Sequence, residues 1–417
     1  MSMSNEQTKR GSWEDFLLRA AREISLSEAQ YDTVDKRYSV LQDNLSASSN
    51  PLLAESHIFI QGSMGLKTTI KPVSGAPDDL DTIDADAIVW LPHAQGASAQ
   101  EVLEAIEERF VEGSRVHQKI KQLRRGIRIV YADENPGFHI DVTPARAVNG
   151  NAEEKGQGRL EVPDRETGWK ASSPLPYSNW LQSASAQEIA LERYAEFAER
   201  QMTFDAATQA PLPAYQDYVD QDPLRATVKL LKRHRDEWAI RSGNESIRPI
   251  SAVITTLATH AYLDVARGSR LKPLRPLDAI LEIVRRMPDH IRYRGHECFV
   301  CNPKDEGENF AEKWNRPSEG ARYREAFFEW HASARASVSL GLESFDSAES
   351  FTRAVNESFG MGAAFVANVN TGIPANWTLP GRPDGTTRNS MAMNSLFGGA
   401  SGSKSSQASV KPVDRLG

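Results

Sequence analysis

The chain has 417 residues, 40% of them apolar and 25% charged, enough for a large core and two or three domains. Its formal net charge of −7 gives no global attraction to nucleic acid or an anionic membrane, so any recognition of phosphate has to be local. Its two cysteines, Cys298 and Cys301, make no disulfide framework. The N-terminus lacks an apolar signal core, and no apolar run reaches the roughly 18 residues of a membrane span, so the expectation is a protein of the reducing cytoplasm.

Ser12 precedes Trp13, Phe16, Leu17 and Ala20, which predicts a first helix. Ser27 and Gln30 form a capping box ahead of a second, with Val34, Tyr38, Leu41 and Leu45 on one face. A strand over 56–60 runs into a Gly62-Ser63 turn, and Pro72, Gly75 and Pro77 mark a loop. Residues 82–91 alternate as a strand. Ile83, Ala85, Ala87, Val89 and Leu91 take one face, and Asp84, Asp86, Ile88 and Trp90 the other.

Ser98 and Glu101 cap a helix carrying Val102, Leu103, Ile106 and Phe110. Strands follow over 126–131 and 138–142, the second with Phe138, Ile140 and Val142 inward and His139 and Asp141 on the opposite face. Beyond residue 165 the pattern turns helical. Ser185–Glu188 is expected to open a helix with Ile189, Leu191, Tyr194, Phe197 and Ala198. Pro223, Ser251 and Pro276 open three more. A sheet-rich half followed by a helical half predicts an α+β protein of two lobes, with a first unit over 1–160, a helical unit over 161–375 and a Gly/Ser/Pro-rich tail over 376–417 expected to be disordered.

Three aspartates on strand patterns stand out because Asp suits strands poorly. Asp84 and Asp86 share one strand face and Asp141 sits on another strand, so the three can point at a common surface. Carboxylates so arranged suit hard divalent cations, and two such ions can align a hydroxyl with the phosphorus of a nucleoside triphosphate. Gly62 lets backbone approach phosphate, and the Ser63 hydroxyl and N–H can bind its oxygens. Asp78, Asp79 and Asp81, in the Pro/Gly loop, read as solvated charge.

Three stretches carry a family resemblance: Gln61-Gly62-Ser63-Met-Gly-Leu-Lys-Thr-Thr-Ile-Lys-Pro72, Asp84-Ala-Asp86-Ala-Ile-Val-Trp-Leu-Pro92 and Phe138-His-Ile-Asp141-Val-Thr-Pro144. They resemble the polymerase-β-like nucleotidyltransferases, and more narrowly the bacterial cyclic-oligonucleotide synthases (CD-NTases), relatives of cyclic GMP–AMP synthase and oligoadenylate synthase. The likeness extends through Gly168-Trp169, Val228–Asp236, Arg248–Ser251, Asn302-Pro303 and Glu308–Trp314, about residues 55 to 315. One departure is the long insertion over 73–82 between the Gly-Ser turn and the acidic pair.

The resemblance implies a bilobal fold, with a mixed-sheet catalytic lobe and a helical oligoadenylate-synthase-like lobe. It implies synthesis of a cyclic di- or trinucleotide from ATP or other nucleoside triphosphates in anti-phage defence. Asp84, Asp86 and Asp141 would be the catalytic carboxylates and ligands of two Mg²⁺ ions, with Mn²⁺ as a substitute. Gln61, Gly62, Ser63, Lys232 and Ser251 would bind nucleotide. Two alternatives stay open: a linear oligoadenylate synthase or other nucleotidyltransferase of this superfamily, and a nucleotide-binding scaffold without activity. The negative charge argues against a long nucleic-acid acceptor.

Arg225, Lys229, Lys232 and Asp236 fall on one stripe of the helix after Pro223, which by itself reads as a solvated charged face. Lys121, Arg124, Arg125 and Arg128 read as a charged sheet edge or as contacts to an acceptor nucleotide. Tyr131, Trp169 and Tyr177 are core residues or stacking surfaces for a base. His290, His296, Cys298 and Cys301 have the ligand types for zinc, although Cys-Phe-Val-Cys as a strand puts the sulfurs on opposite faces, which favours buried free thiols. The terminal Asp-Arg-Leu-Gly417 resembles a ubiquitin-type C-terminus open to a conjugating enzyme or a regulatory protein; a tail with no role is the other reading.

Overall fold

The computed structural model describes residues 2–112, 118–131, 134, 136–148, 155–190 and 222–371. Residues 191–221 and 372–417, including most of the helix expected after Ser185 and the Gly417 terminus, lie outside the described residues.

Seven strands form one mixed sheet among the described residues: β1 His57–Gln61, β2 Thr82–Trp90, β3 Gln118–Leu123, β4 Gly126–Tyr131, β5 Gly137–Ala147, β6 Leu160–Asp164 and β7 Gly168–Ser172. Their order is β1-β2-β5-β4-β3, with β6 pairing the far end of β5 and β7 pairing β6. β2 and β5 run parallel and the other pairs antiparallel. The two-residue alternation is realised as expected. Ile83, Ala85, Ala87, Val89 and Leu91 join Phe138, Ile140 and Val142 in one core. The helices Glu28–Ser46 and Ala99–Glu112 cover it with Leu41, Leu45, Val102, Ile106 and Phe110. On the other face, Ile88 and Trp90 pack with Phe59, Ala145, Leu160 and Val162, leaving Asp84, Asp86, His139 and Asp141 at the uncovered end.

The helical lobe surrounds one central helix, Pro223–Ser242. Asp222 caps its start by accepting from the Arg225 N–H, and Gly243 closes it at φ +65°. The helices Ser251–Ser269 and Pro276–Arg286 match expectation, and Gly320–Ser339, Ala348–Phe359 and Ala363–Thr371 complete the lobe.

Three expectations need correction. The first helix spans Ser2–Glu23 rather than starting at Ser12, because Lys9 donates to the Leu342 and Glu343 carbonyls (2.8 Å each) and Arg10 pairs with Asp278. Ser185 does not open a helix; it ends one, Pro174–Ser185, whose start is set by Pro174 in the first turn and whose inner face is Tyr177, Leu181 and Ala184. Finally, the stripe of Arg225, Lys229, Lys232 and Asp236 is not solvated. All four are buried, because helices and the segment after the Gly-Ser turn pack on every side of the central helix.

Candidate functional site

Strand register builds the site. Asp86 lies beside Gln61 across the β1–β2 pair and beside Asp141 across β2–β5, and Asp141 lies beside Arg128 across β5–β4. One row of the sheet is thus Gln61, Asp86, Asp141, Arg128, and the next row puts Asp84 beside His139. Residues directly opposite on neighbouring strands share a face, so these side chains converge without help from any loop.

The Asp84 carboxylate is about half exposed (53%) to the cleft between the lobes, and its Oδ1 lies 2.7 Å from His139 Nε2. His139 is buried, and its Nδ1 is 3.2 Å from the Thr82 hydroxyl, which fixes the ring from behind. Arg128 grips Asp141 with two parallel bonds, Nε to Oδ1 at 2.6 Å and Nη2 to Oδ2 at 2.7 Å. Desolvation within the cleft opposes ionisation of Asp84 even though its carboxylate is half open to solvent, but the hydrogen bond and charge of His139, with Arg128 and Lys232, hold it below the usual carboxylate range. Among the described residues, no such partner bonds Asp86. Burial, then the charges of Asp84 and Asp141, push it well above that range. Asp141 is also raised, by burial and Asp84, against the pull of Arg128. One ligand atom each from Asp84, His139 and Asp141 lie within 4.8 Å of one another, the one such group among the described residues.

Gly62 follows β1 at φ +59°, a conformation costly for any other residue. A Cβ there would stand 1.9 Å from Asp86 Oδ2, so glycine is what lets the turn close against the carboxylate. The Ser63 hydroxyl accepts from Thr69 at 3.1 Å. The following segment is strung along the central helix by buried cations: Arg225 donates to the Leu66 carbonyl (2.9 Å), Lys232 to Thr68 (2.9 Å) and Arg233 to Lys71 (2.7 Å). Burial, then the charge of Arg235, lower Lys232 to about 8, while Asp236, Asp84 and Asp86 pull it back up. Ser251, at the start of its helix, accepts from Arg235 at 2.9 Å.

A cavity of about 340 Å³ joins these parts, lined by Ser63, Thr69, Asp84, Lys232, Arg235 and Ser251 among others. Four of the eight residues singled out from sequence line it directly. Gly62 and Asp86 touch, Gln61 and Asp141 flank Asp86 in the sheet, and none of the eight lies elsewhere. Arg248, Ile250, Lys313 and Tyr323 are shared with a second cavity of about 380 Å³, where Trp169 and Phe310 present aromatic surface. Of the three aromatics considered from sequence, Trp169 lines that cavity. Tyr131 is buried against Phe138, and Tyr177 is buried with its hydroxyl 2.8 Å from Thr256.

Sequence reasoning missed four residues of the site. His139 was placed on the right face without a role. Arg128 and Arg235 were masked by the ordinary look of a basic run. Asp79 was read as solvated loop charge, yet it pairs with Arg248 at 2.9 Å and lines the first cavity. Two more residues of the basic edge are paired: Arg124 and Arg125 both reach the buried Asp164, and Arg125 also reaches Glu312, while Lys121 is exposed. Cys298 and Cys301 are buried free thiols, while His290 faces Asp264 at 3.2 Å and stacks on His260.

Known proteins similar to this chain include second-messenger synthases. A family model for the Second Messenger Oligonucleotide or Dinucleotide Synthetase domain matches residues 12–184. A c-di-GMP synthase of Roseivirga ehrenbergii is 25% identical over 309 residues, 72% of this chain and 73% of that protein. The structure of the CD-NTase CdnG of Bradyrhizobium diazoefficiens, in complex with GTP, superposes with a TM-score of 0.60 at 19% identity, covering 85% of this chain and 97% of that one.

Proposed function

We propose that this chain is a CD-NTase, a nucleotidyltransferase of the cyclic GMP–AMP synthase-like family, and that it joins nucleoside triphosphates into a cyclic di- or trinucleotide with release of pyrophosphate. The observation that carries the reading is the register that sets Asp86 beside Asp141 and Asp84 beside His139, facing a cavity floored by Ser63 and roofed by Lys232 and Ser251.

The donor set fits Mg²⁺ or Mn²⁺. Asp86 is driven toward its neutral form by burial first and then by the charges of Asp84 and Asp141, a repulsion that a cation among the three would relieve. Asp141 brings the third carboxylate, whose two oxygens accept from Arg128. Divalent ions held by Asp84, Asp86 and Asp141 would neutralise the polyphosphate and lower the pKa of the attacking ribose hydroxyl.

The remaining work falls to the chain itself. His139 orients Asp84, as a hydrogen-bonded neighbour orients a ligand. Gly62 admits the phosphates next to Asp86, and the Ser63 hydroxyl and Lys232 ammonium hold the donor's terminal phosphates. Ser251, with Arg235 behind it, closes the cavity from the helical side. Trp169, one face of which already carries the Arg146 guanidinium at 3.8 Å, and Tyr323 line the adjoining cavity, where a base can stack. Two triphosphates brought together this way react in line, and a further transfer within the linear product closes the ring.

In its setting this chemistry is a signal. We place the enzyme in the bacterial cytoplasm, in defence against phage, as the family resemblance implies.

The test is incubation of the protein with all four labelled nucleoside triphosphates and Mg²⁺ or Mn²⁺, followed by phosphatase and nuclease P1. Product resistant to phosphatase and cut by the nuclease is expected from the wild type, and none from Asp84→Ala or Asp141→Ala, both folded. Full turnover in either variant would refute the assignment, and a phosphatase-sensitive product would make the enzyme a linear oligonucleotide synthase.

A further inference from the structure

We propose that Arg128 is a positioning residue acting as a displaceable counter-cation for Asp141: it holds that carboxylate while no metal is bound and must be moved aside as a divalent ion enters. The proposal rests on the reading of Asp84, Asp86 and Asp141 as metal ligands.

Both oxygens of Asp141 are engaged by Arg128, at 2.6 and 2.7 Å. Whichever oxygen turns toward Asp84 and His139 therefore already carries a guanidinium donor. A dication at that point would meet a positive charge at bonding distance from its own ligand. The cost of that repulsion is large in a partly buried site.

Two other arginines that pair with carboxylates, Arg146 and Arg225, are tied more firmly. Arg146 holds Glu161 and also donates to the carbonyls of Ala94, Gln95 and Ala97. Arg225 donates to the Leu66 carbonyl, Ser185 and Gln182 as well as pairing with Asp222. Arg128 has no such backbone tether. Among the described residues its hydrogen bonds go to Asp141 alone, and a quarter of its side chain is open to solvent. It is thus strongly paired yet free to swing, on a strand whose register keeps it beside the site.

A guanidinium released from Asp141 needs another anion. The phosphates of a bound nucleotide are the anions that arrive with the metal, and a planar two-pronged donor suits them. Metal loading would then depend on nucleotide: without it, Arg128 competes with the ion; with it, Arg128 has somewhere to go.

The experiment measures Mn²⁺ binding to the full chain by electron paramagnetic resonance, with and without a non-hydrolysable triphosphate. Without nucleotide, Arg128→Gln should bind Mn²⁺ at least about tenfold more tightly than wild type, with Arg128→Lys in between. With the analogue present, the difference should shrink to within about threefold. In an Asp141→Asn background, Arg128→Gln should change nothing, because the shared partner is gone.

Equal or weaker Mn²⁺ binding by Arg128→Gln without nucleotide would overturn the proposal alone, since it would mean that Arg128 holds Asp141 in place for the ion. Should that variant not fold, Arg128→Lys keeps the charge, loses the two-pronged grip and carries the same comparison. Failure of every form to bind Mn²⁺, even with nucleotide, would overturn the metal reading of the site as well.

Discussion

Gly62→Ala separates the chemistry of the site from the stability of the fold. The added methyl meets two obstacles: a backbone at φ +59°, and a carboxylate oxygen of Asp86 1.9 Å away. The first costs folding free energy of about 1–2 kcal/mol. The second cannot be met by a small adjustment, because ordinary contact needs roughly 3.3 Å or more and the Asp86 oxygen has to retreat by over about 1 Å. A displacement of that size in a group that positions reacting atoms costs on the order of 10²-fold in rate.

Gly75→Ala supplies the control. Gly75 lies at φ +73° with open space where its Cβ would be, so it carries the backbone strain without the clash. Both variants should lose similar stability by urea denaturation, while pyrophosphate release should fall about 10²-fold in Gly62→Ala and stay near wild type in Gly75→Ala. A Gly62→Ala enzyme retaining half or more of its wild-type rate would refute the claim that the turn exists to admit Asp86.

Two further outcomes follow from buried polar groups. Burial, then the charges of Lys232 and Arg225 against that of Asp222, lower the Lys229 ammonium to about 7 from an ordinary 10.5. Between those values the unfolded chain holds a proton that the folded chain lacks, so stability should rise with pH by up to about 1.4 kcal/mol per unit. Urea midpoints at pH 7 and 8.5 should show Lys229→Met losing that slope; an unchanged slope would mean that the ammonium stays charged on Ser25. His139→Ala removes the group that orients Asp84 and should cost 10- to 100-fold in Mn²⁺ affinity. Unaltered affinity would mean that Asp84 finds its position without it.

What the sequence made legible is what a strand records locally. Alternation over 82–91 and 138–142 set the aspartates on the correct face, because a half-buried strand writes its burial into every second residue. The central helix was found from Pro223 and its periodicity, but its surroundings were not. A cationic stripe looks the same whether it faces water or the carbonyls of residues 66–72, and only packing from distant parts of the chain decides. The pairs Asp84–His139 and Arg128–Asp141 were hidden for the same reason, since cross-strand register is set by the whole sheet.

The buried cations have a consequence for how the two lobes act together. Arg225, Lys232 and Arg233 each donate to a carbonyl of the segment that leaves the Gly-Ser turn, and Lys232 also lines the cavity proposed to take the triphosphate. Each would be expensive to bury without that acceptor. The segment is therefore held to the helical lobe by three buried donors, of which Arg225 and Arg233 also pair with Asp222 and Glu237. Movement of the central helix must carry residues 66–72 with it, and with them Thr69, the donor to Ser63. Closure on a triphosphate is in this way linked to the position of the hydroxyl that would hold it, which fixed anchoring of the segment to the sheet alone could not achieve.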